Sequence, residues 1–117
     1  MRTENPCFKK HLGVNSSPSP VDSLRLELNP KCFCLLSYHH LDFAKFESAQ
    51  NEDVITLLFL NRTVRITGKN LRALGLALQD RTVEFIKPLP ERYSLLTSDD
   101  VSVKTIEIED KKEDSHD

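Results

Sequence analysis

Between residues 54 and 80 the chain changes its hydrophobic period, and that change limits the folds open to it. "VITLLFLN" (54–61) is rich in β-branched, aromatic and leucine side chains and apolar on both faces, the pattern of a strand placed centrally in a sheet. "TVRITG" (63–68) alternates strictly, with Val64 and Ile66 on one side and Thr63, Arg65 and Thr67 on the other. "NLRALGLALQ" (70–79) then brings Leu71, Leu74, Gly75 and Leu78 onto one helical face. A tight turn at Asn61–Arg62 joins the strands, Gly68 ends the second, and Asn70 is placed to cap the helix. Gly75 costs this helix about 1 kcal/mol relative to alanine, a cost tolerated if it lets the helix lie close to the sheet.

The flanks add weaker elements. "SLRLEL" alternates as a short strand and stops at Asn29-Pro30, and "CFCLL" is apolar on both faces, as in a buried strand, though it is short enough for a helical turn to compete. "LDFAKFES" carries Phe43 and Phe46 at an odd spacing that implies an irregularity. "TVEFIKPLP" is a strand with Val83 and Phe85 on one side and Ile86 on the other, ended by two prolines. In "VSVKTIEIE" the apolar positions switch from odd to even, which predicts a bulge near Lys104 or an edge strand.

Together these elements predict an α+β fold: a small antiparallel β-meander with one main helix packed on the sheet, a β-β-β-α-β core. The expected limits are a flexible leader over 1–22, a single domain over 23–108, and a disordered acidic tail over 109–117. Hydrophobic residues are 38% of the chain, low for a globular protein, a deficit explained if only the middle folds. The expected core is Leu58, Phe59, Val64, Ile66, Leu71, Leu74, Leu78 and Phe85.

Net charge is only −2, so no global polycation drives nucleic-acid binding, but its distribution is uneven. Residues 61–87 hold six basic side chains against two acidic, and residues 99–117 hold eight acidic against three basic. Arg62, Arg65, Lys69 and Arg72 gather around the strand-to-helix joint, where free N–H groups at a helix start favour an anion. "TGKN" lacks the glycine-rich run of a phosphate loop, so a plain solvated joint competes with that reading.

Cys32, Cys34, His39 and His40 in "CFCLLSYHH" are ligand types for a soft metal. C-x-C is tighter than the usual structural zinc spacing, no second pair follows, and adjacent histidines on a strand point apart, so no metal or cofactor is expected. No catalytic motif is present, which favours a non-enzymatic protein. Leu76 lies opposite the helix's apolar stripe and, with the two-sided strand at 54–61, predicts contact with a protein partner or a second copy of the chain. The alternative is a nucleic-acid or phosphate-binding module using residues 62–72, with the acidic end as an internal competitor. No apolar stretch is of membrane-spanning length, no hydrophobic run follows the first charges, and three cysteines are an odd number, so reduced thiols and a cytoplasmic location are expected.

Overall fold

The computed structural model describes residues 5–89 and 101–110. It is a mostly-β domain in which two four-stranded sheets and one short helix share a core. The expected meander is present: β4 (Leu41–Ser48), β5 (Asp53–Phe59) and β6 (Arg62–Lys69) follow one another antiparallel, and β8 (Ser102–Asp110) pairs with β6 to complete the order β4-β5-β6-β8. After helix α1 (Arg72–Gln79), however, β7 (Val83–Ile86) leaves this sheet and joins a second one with β1 (Phe8–Lys10), β2 (Ser23–Asn29) and β3 (Cys32–Ser37), ordered β1-β7-β2-β3. The helix is thus the crossing from one sheet to the other, and strands outweigh the α+β balance expected. β7 runs parallel to β2, as a strand arriving through a helical crossover can, while β2 and β3 form an antiparallel hairpin. Asn29 shapes that hairpin turn, its Oδ1 accepting the Lys31 N–H at 2.8 Å.

Alternation fills the core. Leu24 and Leu26 from β2, Leu36 from β3, Ile55, Leu57 and Phe59 from β5, and Val64 and Ile66 from β6 point inward and are buried. Leu71, Leu74, Ala77 and Leu78 of the helix region close over them. Tyr38, in the one-turn 3₁₀ segment Tyr38–His40, is buried, and its hydroxyl donates to the Val83 carbonyl at 2.8 Å. Burial raises the Tyr38 phenol well above its ordinary value.

Several expectations need correction. Leu58 is 37% exposed, because strict alternation puts it on the outer face of β5 with Val54 and Thr56; that strand is central, as expected, but only one face is core. Phe85 is half-buried on the outer face of its sheet, since a register shift at Glu84 lets Val83 and Ile86 both point inward. "CFCLL" is an edge strand with Phe33 and Leu35 exposed, not a buried one. The β5–β6 turn is Leu60–Asn61, and neither residue has a left-handed φ. Asn70 is not the N-cap: it has φ 58°, and the helix start is capped by Asp53, whose Oδ2 accepts the Leu71 N–H at 3.0 Å.

Gly68 lies inside β6 rather than ending it. A Cβ there would overlap the Ser102 carbonyl oxygen and stand 3.0 Å from Val103 Cα, so glycine is what lets β8 approach. The register shift beside Gly68 skips Lys104, so β8 has the expected bulge and is also an edge. Its strand runs through Glu109 and Asp110, which the sequence assigned to the tail; 111–117 lie outside the described residues.

The expected leader is also structured from residue 5 on. β1 pairs with β7, Cys7 is fully buried, and His11 Nδ1 meets Glu84 Oε2 at 2.7 Å. Asn5 Nδ2 donates to the Val101 carbonyl at 2.9 Å, and the Val103 N–H donates to Cys7 Sγ at 3.4 Å. The Lys87 N–H donates to the Cys7 carbonyl at 2.8 Å, so this segment ties the β7 end of one sheet to the start of β8 in the other. Burial holds the Cys7 thiol above its ordinary pKa, with the Val103 bond and the Lys87 charge opposing.

Candidate functional site

The four basic residues of the strand-to-helix joint do not share one surface. Arg62 opens β6 and Lys69 closes it, a separation of roughly 23 Å at strand rise. Arg62 Nε donates to Asp110 Oδ1 at 2.8 Å, across the β6–β8 pairing. Arg65 faces outward between Thr56 of β5 and Glu107 of β8. Glu107, Glu109 and Asp110, three of the acidic residues expected to compete for these charges, are thus laid beside the basic strand in β8. Lys69 and Asn70 border a shallow polar cleft with the β4–β5 loop, where Asp53 accepts the N–H of Leu71, the residue just before α1.

Arg72 belongs elsewhere. It starts α1, and Leu76 lies one turn on along the same side, as i and i+4 positions do. Both border a groove of about 310 Å³ between α1 and the meander. Ala44 and Phe46 of β4 form its far side, and the buried Ile55 and Leu57 lie beneath. Gly75 sits in the helical wall, where its missing side chain leaves the space above Ile55 open: a Cβ would stand 3.7 Å from Ile55 Cδ1. Leu76 is 51% exposed, at the edge of this apolar floor. One exposed cation, Arg72 of α1, borders this apolar floor; Lys45 adjoins it from β4, but its register opposite Thr56 sends its side chain to the outer face, where Nζ lies 3.5 Å from Glu47 Oε2. The volume falls at the small end of ordinary ligand pockets. Two of the residues singled out in the sequence, Arg72 and Leu76, meet here; Arg62, Arg65 and Lys69 do not. The β4 side was missed because its contribution comes from pairing about thirty residues earlier in the chain.

Cys32 and Cys34 lie on β3, the first exposed and the second half-buried, while His39 and His40 are exposed beyond the core residue Tyr38. Among the described residues no three His, Cys, Asp or Glu side chains converge as a metal-ligand set, and no helix is long and apolar enough to cross a membrane. His39, His40, Asp42 and Arg62 border a separate cleft of about 360 Å³ at the other end of the meander.

Comparison with models of known protein families, with curated proteins and with solved structures gives no match in any of the three.

Proposed function

We propose that the protein is a non-enzymatic interaction domain whose α1–β4 groove receives an apolar side chain carried beside an acidic group on a partner protein. The observation that carries this reading is the pairing of an apolar floor (Ala44, Phe46, Ile55, Leu57, Leu76) with Arg72 at its border. Filling such a floor removes Leu76 from water, and the Arg72 charge supplies orientation and on-rate rather than most of the affinity. A helix that keeps Gly75 at a position where alanine would fit gives up stability and retains groove depth. Free thiols at Cys7, Cys32 and Cys34 accord with a cytoplasmic setting.

A nucleic-acid or phosphate-binding role for residues 62–72 has less support. Arg62 is engaged by Asp110, Arg65 is flanked by Glu107, and Arg72 turns to the groove. The two roles separate in one titration. Short peptides with leucine beside aspartate or glutamate, followed by NMR, should shift Ala44, Gly75 and Leu76; the same peptides with lysine for the acid should bind more weakly. Leu76→Ala should abolish the shifts. Shifts confined to Arg65 and Lys69, or equal response to acidic and basic peptides, would overturn the groove assignment.

A further inference from the structure

We infer that the free edge of β3 pairs antiparallel with β3 of a second copy of this chain, joining two four-stranded sheets into one continuous eight-stranded sheet. This surface lies apart from the groove, and the inference does not depend on what the groove binds. The two sheets have four edge strands among the described residues, and three of them carry features that discourage pairing. β1 is three residues long and includes Lys9 and Lys10. β4 carries Asp42, Lys45 and Glu47. β8 is bulged at Lys104 and carries Glu107, Glu109 and Asp110. β3 differs: "CFCLLS" has no charge and no proline, and the bulge of its hairpin falls on β2, at Leu28. It also turns Phe33, 59% exposed, and Leu35, 63% exposed, to solvent. The Arg25 guanidinium lies 5.9 Å from the Phe33 ring centroid and 5.1 Å from that of Phe85, so Phe33 stands beside a cation already shared with the sheet face.

Self-complementarity selects the second copy over another strand. In a continuous sheet directly opposed residues share a face, so registers that set outward Phe33 and Leu35 against inward Cys34 and Leu36 are excluded. Of those that remain, pairing centred on Cys34 sets Phe33 of each copy against Leu35 of the other, at both ends of the contact. It also sets Lys31 against Ser37, which keeps the two lysines far apart. Pairing centred on Phe33 would oppose Lys31 to Leu35, and pairing centred on Leu35 would leave Phe33 against Ser37. Four apolar side chains then meet on one face, each pair contributing as cross-strand neighbours do. The contact is small, so the dimer is a weak one that dissociates on dilution.

Sedimentation equilibrium of the full chain over a wide dilution series, in reductant, tests this. The average mass should rise from monomer toward dimer, and β3 amides should gain exchange protection with concentration. Leu35→Lys should raise the dissociation constant at least tenfold, and Phe33→Ser should do the same without adding charge; both residues are exposed, so thermal melts should show both variants folded. Leu76→Lys, which blocks the groove, should leave the dimer intact, so loss of peptide binding and loss of dimer are separate outcomes. With Cys32→Ser, mild oxidation by diamide should give a covalent dimer through Cys34, because opposed residues of an antiparallel pair lie within disulfide reach. A monomer at every concentration, or a dimer indifferent to Leu35→Lys, overturns the inference; a covalent dimer in Cys34→Ser but none in Cys32→Ser overturns the register.

Discussion

Replacing Gly75 by alanine should make the protein more stable and a worse binder. Gly75 has no left-handed φ and sits within α1, so alanine fits its backbone. The added methyl would meet Ile55 Cδ1 at 3.7 Å, ordinary van der Waals contact, with no other neighbour inside 4 Å. Helix propensity alone contributes about 0.8–1.0 kcal/mol. The methyl, partly covered by Ile55, adds a fraction of the ~0.8 kcal/mol that full burial of such a group provides. The sum is about 1–1.5 kcal/mol, and for a domain of this size each kcal/mol moves Tm by about 4–8 °C. Urea unfolding followed by circular dichroism should show the midpoint rising at constant m. The same methyl stands in the groove, so affinity for the leucine-acid peptides should fall. A midpoint that drops would mean that the added methyl comes closer to Ile55 than 3.7 Å. Stability and affinity rising together would mean that the groove is not where the peptide sits.

The other glycine of the β6–α1 segment should behave in the opposite way: Gly68→Ala forces a methyl into the Ser102 backbone, and a loss of about 1–3 kcal/mol or more is expected in the same urea assay, with an unchanged midpoint refuting the close β6–β8 approach. Leu74→Ala removes a fully buried side chain and should cost about 2–5 kcal/mol; a loss below about 1 kcal/mol would place the wrong helix face inward. Tyr38→Phe leaves the Val83 carbonyl without its donor and should cost roughly 1–3 kcal/mol. Because the folded Tyr38 phenol titrates above the ordinary value of 10.0, its contribution is complete below that pH and is lost as pH rises beyond it, when the unfolded tyrosine ionises first. Urea midpoints taken on either side of that pH should therefore fall less in Tyr38→Phe than in the parent, and equal falls would refute the buried phenol.

The segments that could be read from the sequence are those long enough to show a period. β6 and α1 declare themselves through Val64, Ile66, Leu71, Leu74 and Leu78, and the phase change across Lys104 marked the bulge and edge of β8. β1 could not be read, because three residues hold no period and the hydrogen-bond partners of Cys7, at Lys87 and Val103, lie far along the chain. Apolar character on both faces was equally uninformative: it marks β5, central in its sheet, and β3, at an edge, since composition does not report how many neighbours a strand has. The opposed charge of residues 61–87 and 99–117 was visible, but only the register turns it into Arg62 against Asp110 and Arg65 against Glu107. Arg72 and Leu76 were singled out for separate roles. Their common groove needed the β4 wall, which the helix's own sequence does not encode.

The tie made by residues 5–7 has a consequence in time. Asn5 and Cys7 are held by Val101 and Val103, hydrogen bonds that span 96 positions of the chain. During synthesis the earliest of these residues to emerge is therefore among the last to find its place, and closing so long a loop is slow compared with forming the β2–β3 hairpin or α1. Until then the Cys7 thiol is open to solvent and to reagents, and afterwards it is sealed. Its accessibility thus acts as a clock on the final stage of assembly, recording when the two sheets have become one molecule.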